Sequence, residues 1–112
     1  MIDAPSGPVT PVAPEQQLED LPGVTMAAVV GVGPAGVQQL VAVLQVDDAD
    51  KAPRLASIER IDAARAAVDH DLVAVFEVPK LPVDQRHNAK IDRAAVAAWA
   101  ASALSGRKVG SL

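Results

Sequence analysis

Short runs of apolar residues, separated by polar turns, divide this chain into predicted elements. Residues 25–32 and 72–78 are rich in Ala and Val and predict two buried strands, the second of which carries Phe76. Residues 37–46 fit helical spacing as well as strand alternation, so periodicity alone does not decide that run. Between residues 25–32 and 37–46, the sequence Gly-Pro-Ala-Gly at 33–36 predicts a turn.

Two helices are predicted in the first two thirds of the chain. Residues 15–21 predict a short helix, with Pro14 near its first turn and Glu15 at the positive end of the helix dipole. Residues 54–68 predict a longer one. Its expected inner face consists of Leu55, Ile58, Ile61 and Val68.

The strongest helical pattern covers residues 92–104, where apolar residues recur at i, i+3, i+4, i+7 and i+8. Asp92 stands at its start, where an anion is favoured. The apolar stripe consists of Val96, Trp99, Ala100, Ala103 and Leu104. By contrast, residues 1–14 contain four prolines, which remove backbone donors and predict an extended linker.

The composition of the chain argues against several classes of function. The chain has 112 residues, enough for one domain, and its net charge of −4 with 2% aromatic residues argues against nucleic acid as a partner. There is no cysteine, and two histidines do not make a zinc site. No signal peptide and no apolar run long enough to span a membrane is apparent, so a cytoplasmic location is expected.

One glycine motif invites a nucleotide-binding interpretation. Gly31, Gly33 and Gly36 spell G-x-G-x-x-G after a predicted strand. A dinucleotide site would also require an acidic residue roughly 20 positions further on, whereas the acidic residues at 47, 48 and 50 come too early. Pro34 stiffens the backbone where a phosphate would approach. A glycine-rich hairpin turn is therefore the better interpretation.

The polar segment 81–93 is the best candidate site. It is predicted to be a long loop between a strand and a helix, and it concentrates Arg86, His87, Lys90 and Arg93 in an acidic chain. Clustered cations suit an anionic ligand. A surface lysine is the ordinary interpretation of Lys90, but the cationic neighbours, the loop length and the apolar residue that follows it favour a catalytic role.

The same segment carries a resemblance to a known family. Residues 81–91, Leu-Pro-Val-Asp-Gln-Arg-His-Asn-Ala-Lys-Ile, match L/F-P-V-D-x-R-H-N-A-K-I, the form typical of the β-lactone synthetases of bacterial long-chain olefin biosynthesis. Upstream, Gly7, Val9, Pro11 and Glu15 resemble the G-x-x-[IV]-x-P-x-x-x-E motif with one residue missing. From about residue 7 to 104 the chain resembles the small C-terminal domain of the AMP-forming acyl-adenylating enzymes, which include acyl-CoA synthetases and fatty-acyl-AMP ligases.

The resemblance implies a fold and a domain division. The expected fold is α+β, with a small, mostly antiparallel sheet of about three strands packed with two to three helices, and residues 37–46 become a strand paired with 25–32. Residues 1–14 are then a linker after the hinge, 15–105 the C-terminal lid domain, and 106–112 a flexible tail. The hinge itself is expected at or just before Met1.

The resemblance also implies a function. Lys90 would be the catalytic lysine of adenylation, and Arg86, His87 and Arg93 would position substrate or phosphate. ATP with magnesium would be bound mainly by a large N-terminal adenylation domain, with no cofactor held tightly by this chain. The substrate would be a 3-hydroxy fatty acid that is converted to a β-lactone, and the isolated chain would be inactive.

Three alternatives remain open on the sequence. The chain is the lid of an acyl-CoA or fatty-acyl-AMP ligase, a small non-enzymatic α+β interaction module, or a dinucleotide-binding fragment built on the glycine turn.

Overall fold

The computed structural model describes residues 2–4, 7–34, 36–46, 54–68, 72–84 and 90–104. The helices in these ranges are α1 (Val12–Glu19), α2 (Ile58–Ala67) and α3 (Arg93–Leu104). The strands are β1 (Ile2–Ala4), β2 (Gly7–Val9), β3 (Val24–Val32), β4 (Gln39–Val46), β5 (Arg54–Leu55), β6 (Leu72–Val78), β7 (Val83–Asp84) and β8 (Lys90–Ile91).

The main sheet has the strand order β3-β4-β6-β5. β3 and β4 form an antiparallel hairpin, β4 and β6 run parallel, and β5 pairs antiparallel with β6. The run left open by its periodicity is thus the strand β4, paired with β3 as the resemblance implies. The predicted α+β fold is confirmed, although the sheet in the described ranges has four strands where about three were predicted, and it is mixed.

Both faces of the sheet are covered by helices. Ala27, Val29 and Leu44 face a core shared with α1, α2 and the β1–β2 hairpin, whereas Val30 and Phe76 face a core shared with α3. Burial on both faces explains why the strands read as continuous apolar runs in the sequence rather than as alternating ones.

The segment predicted to be an extended linker is packed on the domain at its start. β1 and β2 pair antiparallel, with Ile2 opposite Val9, and both of these side chains are buried in the core. The short helix begins at Val12 rather than residue 15. Pro14 lies within its first turn, where a missing N–H removes no helical hydrogen bond, and the first such bond runs from Glu15 N–H to Pro11 O.

The second helix is shorter than predicted. β5 occupies the first two residues of the predicted range, and Ser57 caps α2 by accepting a hydrogen bond from Arg60 N–H at 3.2 Å. The predicted inner face is wrong at its start, because Leu55 is 63% exposed and Ile58 is 78% exposed. The buried contacts of this helix come from residues further along, including Ile61, Ala64 and Val68.

The predicted range of the third helix, 92–104, is confirmed to within one residue. Asp92 caps it, since Ala95 N–H donates to Asp92 Oδ1 at 3.1 Å. Val96 and Ala100 are fully buried, and Trp99 meets Phe76 edge to face with ring centroids 5.0 Å apart. Leu104, the last residue of α3, was predicted to lie in the same inner stripe but is 43% exposed.

The glycine motif forms the turn of the β3–β4 hairpin. Gly33 and Gly36 have φ angles of 101° and 85°, which favour glycine, and no helix opens at Gly36. The dinucleotide interpretation is therefore wrong. The acidic loop at 47–53, the Asp-His-Asp sequence at 69–71 and the tail at 106–112 lie outside the described residues.

Candidate functional site

The basic segment forms a paired ribbon at its ends. β7 and β8 are antiparallel, with Val83 opposite Ile91 and Asp84 opposite Lys90. We call the paired residues 83–84 and 90–91 the lysine ribbon. The prediction of a simple loop is wrong for these four residues, because backbone pairing between β7, the first leg of the ribbon, and β8, its second leg, holds the Lys90 main chain. The Lys90 side chain lies outside the described part, as do the whole of Arg86 and His87.

The first leg of the ribbon is anchored to β4. Leu81 is 1% exposed, and its N–H donates to Gln45 Oε1 at 2.8 Å. Gln45 is held in turn by Thr25 on β3, whose Oγ1 accepts from Gln45 Nε2 at 3.2 Å. The chain therefore enters the ribbon from a buried residue that is tied to β4 and, through Gln45, to the edge strand β3.

The second leg is anchored to α3. Ile91 is half-buried and packs against the core beneath α3. Asp92 N–H donates to Pro82 O at 3.0 Å, which closes the base of the ribbon, while the Asp92 side chain caps the helix that follows. One residue thus couples the ribbon to the start of α3.

Arg93, a predicted site residue, lies in an ion pair with Glu15 of α1. Arg93 Nε donates to Glu15 Oε2 at 2.9 Å, and Arg93 Nη2 donates to Glu15 Oε1, so the contact has two points. The hydrogen bond to Glu15 and its negative charge raise the pKa of Arg93, against the opposing effect of burial. The pair joins two segments that the sequence motifs place at opposite ends of the chain.

Glu15 also binds the backbone at the edge of the sheet. It is 6% exposed, and its Oε2 accepts from Val29 N–H of β3 at 2.8 Å. Glu19, one helical turn later, accepts from Ala27 N–H at 3.3 Å. Four residues of helix rise about 6 Å and two residues of strand about 6.8 Å, so the two carboxylates match successive outward amides of β3. Sequence reasoning missed this role for both residues, although Glu15 belongs to the upstream motif.

A cleft of about 200 Å³ lies beside Arg93. Its lining includes Ile2, Pro11, Val29, Gln38, Arg93 and Ala97. A pocket that encloses a small-molecule ligand usually has a volume of about 300 to 1,000 Å³, so this cleft alone is small for a nucleotide.

A second Arg–Glu pair lies on the α2 face of the sheet. Arg60 Nη1 donates to Glu77 Oε2 at 2.7 Å, and Glu77 on β6 is 3% exposed. This pair resembles the Glu15–Arg93 pair in chemistry and burial, but it joins α2 to β6. It therefore offers a matched comparison for the pair at the ribbon.

Two further properties concern only the described part of the chain. Its Asp and Glu side chains form no group of three or more that is placed to hold a metal ion. None of its helices combines the length and apolarity needed to cross a membrane.

A solved structure contains the same fold. Over 92% of its length it matches part of a fatty acyl CoA synthetase of Mycobacterium tuberculosis, with a TM-score of 0.69 and 17% sequence identity, and it covers 20% of that structure. The fold is therefore that of a small domain found within such synthetases. No protein-family model matches the chain.

The sequence comparison is more specific. The chain is 36% identical over 109 residues to the olefin beta-lactone synthetase of Stenotrophomonas maltophilia (strain K279a). The match covers 95% of this chain and 19% of that protein, so the chain spans about a fifth of its relative. These findings confirm the resemblance predicted from the sequence, to the C-terminal domain of the AMP-forming acyl-adenylating enzymes and, within them, to the β-lactone synthetases.

Proposed function

We propose that this chain is the mobile C-terminal domain of an ATP-dependent, AMP-forming ligase that activates carboxylic acids, and that Lys90 is its catalytic lysine. The observation that carries the proposal is the anchored lysine ribbon, in a chain whose sequence is similar to an olefin beta-lactone synthetase. A large N-terminal adenylation domain is the required partner.

The chemistry needs a fixed cation. A carboxylate oxygen attacks the α-phosphorus of ATP, the bond to pyrophosphate breaks, and an acyl-adenylate forms. The attacking group and the phosphate are both negative, and negative charge builds on the phosphate oxygens as the new bond forms. An ammonium group between them offsets that charge, and a compact lysine suits a narrow gap better than a planar guanidinium.

For the second step we propose lactone formation from a 3-hydroxy fatty acid. The β-hydroxyl oxygen attacks the activated carbonyl, the bond from that carbon to the AMP oxygen breaks, and the hydroxyl proton passes to a base. The products are a four-membered lactone and AMP. Arg86 and His87 are proposed to position substrate or phosphate directly, and Arg93, which is bound by Glu15, is proposed to do so by positioning Lys90.

The proposal also explains why the chain would be inactive alone. The cleft beside Arg93 is small for a nucleotide, and the chain spans 19% of its relative, so walls for ATP and for the acyl chain must come from elsewhere. Magnesium is expected to bind with ATP on the large domain rather than on this one.

The test is Lys90→Ala in the complete ligase, meaning this chain joined to its adenylation domain. We expect pyrophosphate release with ATP and a 3-hydroxy fatty acid to fall about 10²- to 10³-fold, the usual effect of removing one preorganised charge-stabilising group. Lys80→Ala, at an exposed lysine outside the ribbon, is the matched control and should retain activity. Retained activity of Lys90→Ala would refute the catalytic role.

Product analysis separates the branches of the proposal. A β-lactone that accumulates with or without coenzyme A supports the lactone branch. An acyl-CoA product would instead identify an acyl-CoA ligase, and a released acyl-adenylate a fatty-acyl-AMP ligase. Absence of any adenylation by the complete ligase would favour the non-enzymatic interaction module.

A further inference from the structure

We infer that Glu15 and Arg93 are positioning residues for Lys90, an inference that rests on the proposed function of that lysine. Arg93 follows Lys90 by three residues and is bound at two points by Glu15, which belongs to a different helix. The pair therefore sets where the second leg of the lysine ribbon stands relative to the sheet.

The backbone between Lys90 and Arg93 has little freedom to absorb a shift. Lys90 is paired with Asp84, and Ile91 packs against the core. Asp92 binds Pro82 through its N–H and the first turn of α3 through its side chain. A displacement of the start of α3 must therefore be passed to β8.

Glu15 is itself a fixed reference point. Its carboxylate is 6% exposed and accepts from Val29 N–H in the edge strand of the sheet. A two-point contact between a guanidinium and a carboxylate defines orientation as well as distance. Glu15 therefore fixes the position of the Arg93 side chain relative to the sheet as well as balancing its charge.

Position matters for this chemistry because the ammonium must stand between two groups that are forming a bond. A misplacement of about 1 Å far from the reacting atoms can lower a rate about 10²-fold. Loss of the pair relaxes the start of α3 without removing the lysine. We therefore expect a smaller loss than that caused by Lys90→Ala, about 10-fold in kcat.

A double-mutant cycle distinguishes this role from direct contact of Arg93 with the phosphate. If Arg93 acts through Glu15, then Glu15→Gln, Arg93→Gln and the double variant lower kcat by similar factors, because each breaks the same unit. If Arg93 contacts substrate itself, Arg93→Gln acts alone and raises KM for ATP.

The experiment measures pyrophosphate release by the complete ligase at saturating and limiting ATP. We expect kcat to fall about 10-fold in all three variants, with KM for ATP changed by less than about two-fold. Glu77→Gln, which disrupts the comparable pair with Arg60, is the control and should keep the parent kcat. Should Glu15→Gln not fold, Glu15→Asp keeps the charge, shortens the arm by one methylene, and should slow kcat in the same way.

Two results would overturn the inference. One is a raised KM for ATP in Arg93→Gln while Glu15→Gln remains fully active. The other is a loss of kcat in the pair variants no larger than in Glu77→Gln at matched folded fraction. If Lys90→Ala remains active, the proposed function itself fails, which is a separate outcome from either of these.

Discussion

The amide nitrogen of Leu81 lies 2.8 Å from the side-chain oxygen of Gln45, and this contact joins residues 36 apart in sequence. It fastens the entry to the lysine ribbon onto the central strand β4. The hydrogen bond is partly buried, so its removal leaves a backbone donor with poor access to water.

We therefore expect Gln45→Ala to lower the free energy of unfolding by about 1 to 3 kcal/mol. The Leu81 amide should also exchange with solvent faster in native-state hydrogen exchange. Gln39→Ala, at an exposed position of the same strand, is the control and should change stability by less than about 0.5 kcal/mol. Equal effects of the two substitutions would show that this hydrogen bond does not anchor the ribbon.

The Glu15–Arg93 pair predicts an asymmetry in stability. Arg93→Met leaves a carboxylate that is almost fully buried without its cation, whereas Glu15→Gln leaves a guanidinium that is 39% exposed and accessible to water. We expect Arg93→Met to lower the free energy of unfolding by about 2 to 4 kcal/mol and Glu15→Gln by about half of that. Urea unfolding near neutral pH measures both. A larger loss in Glu15→Gln would contradict the burial argument.

The pH dependence of the same pair follows from the raised pKa of Arg93. Because the folded-state pKa lies above the unfolded one, the stabilisation is fully present below the ordinary arginine pKa and is lost only as the pH rises through the higher folded value. The difference in unfolding free energy between the parent chain and Glu15→Gln should stay constant between about pH 7 and 10. A difference that declines across this range would mean that another group carries the interaction.

The aromatic contact between Phe76 and Trp99 fixes α3 on the sheet, with ring planes at 78°. Edge-to-face pairs contribute about 0.5 to 1.5 kcal/mol beyond area burial. A double-mutant cycle with Phe76→Leu and Trp99→Leu should give a coupling free energy in that range, measured by urea unfolding followed by circular dichroism. A coupling near zero would show that the two rings contribute only through burial.

The start of α2 provides a test of the corrected helix face. Ile58→Lys should change the free energy of unfolding by less than about 0.5 kcal/mol, because the side chain is 78% exposed. Ile61→Lys should cost about 1 to 3 kcal/mol, because Ile61 packs against the core. Thermal unfolding of the two variants measures both losses of stability. A larger loss in Ile58→Lys than in Ile61→Lys would support the helix face predicted from the sequence.

The elements that were predictable from sequence are those whose signal is local. β3, β6 and α3 carry short buried runs or a clear helical stripe, and each lies within one residue of its prediction. β5 was not predictable, because its two residues are strand only through pairing with β6, which lies far along the chain. The helical spacing of Leu55 and Ile58 was misleading for the same reason.

The candidate site was predictable in composition but not in form. The cations of segment 81–93 pointed to Lys90 and Arg93 as candidates, but the polar sequence does not show that Asp84 and Lys90 pair as neighbouring strands. The partner of Arg93 lies 78 residues away, so no local pattern connects the two. The available signal was the presence of Glu15 in the upstream motif, and its role becomes clear only when its burial against the edge of the sheet is known.

The carboxylates of Glu15 and Glu19 also occupy two amides at an edge of the main sheet. An exposed edge strand offers a template to which another chain can add a strand, and such addition leads to aggregation. Here the outward amides of Ala27 and Val29 are already occupied, and the opposite edge, β5, is only two residues long. An incoming strand could hydrogen-bond to these two amides only by displacing both carboxylates.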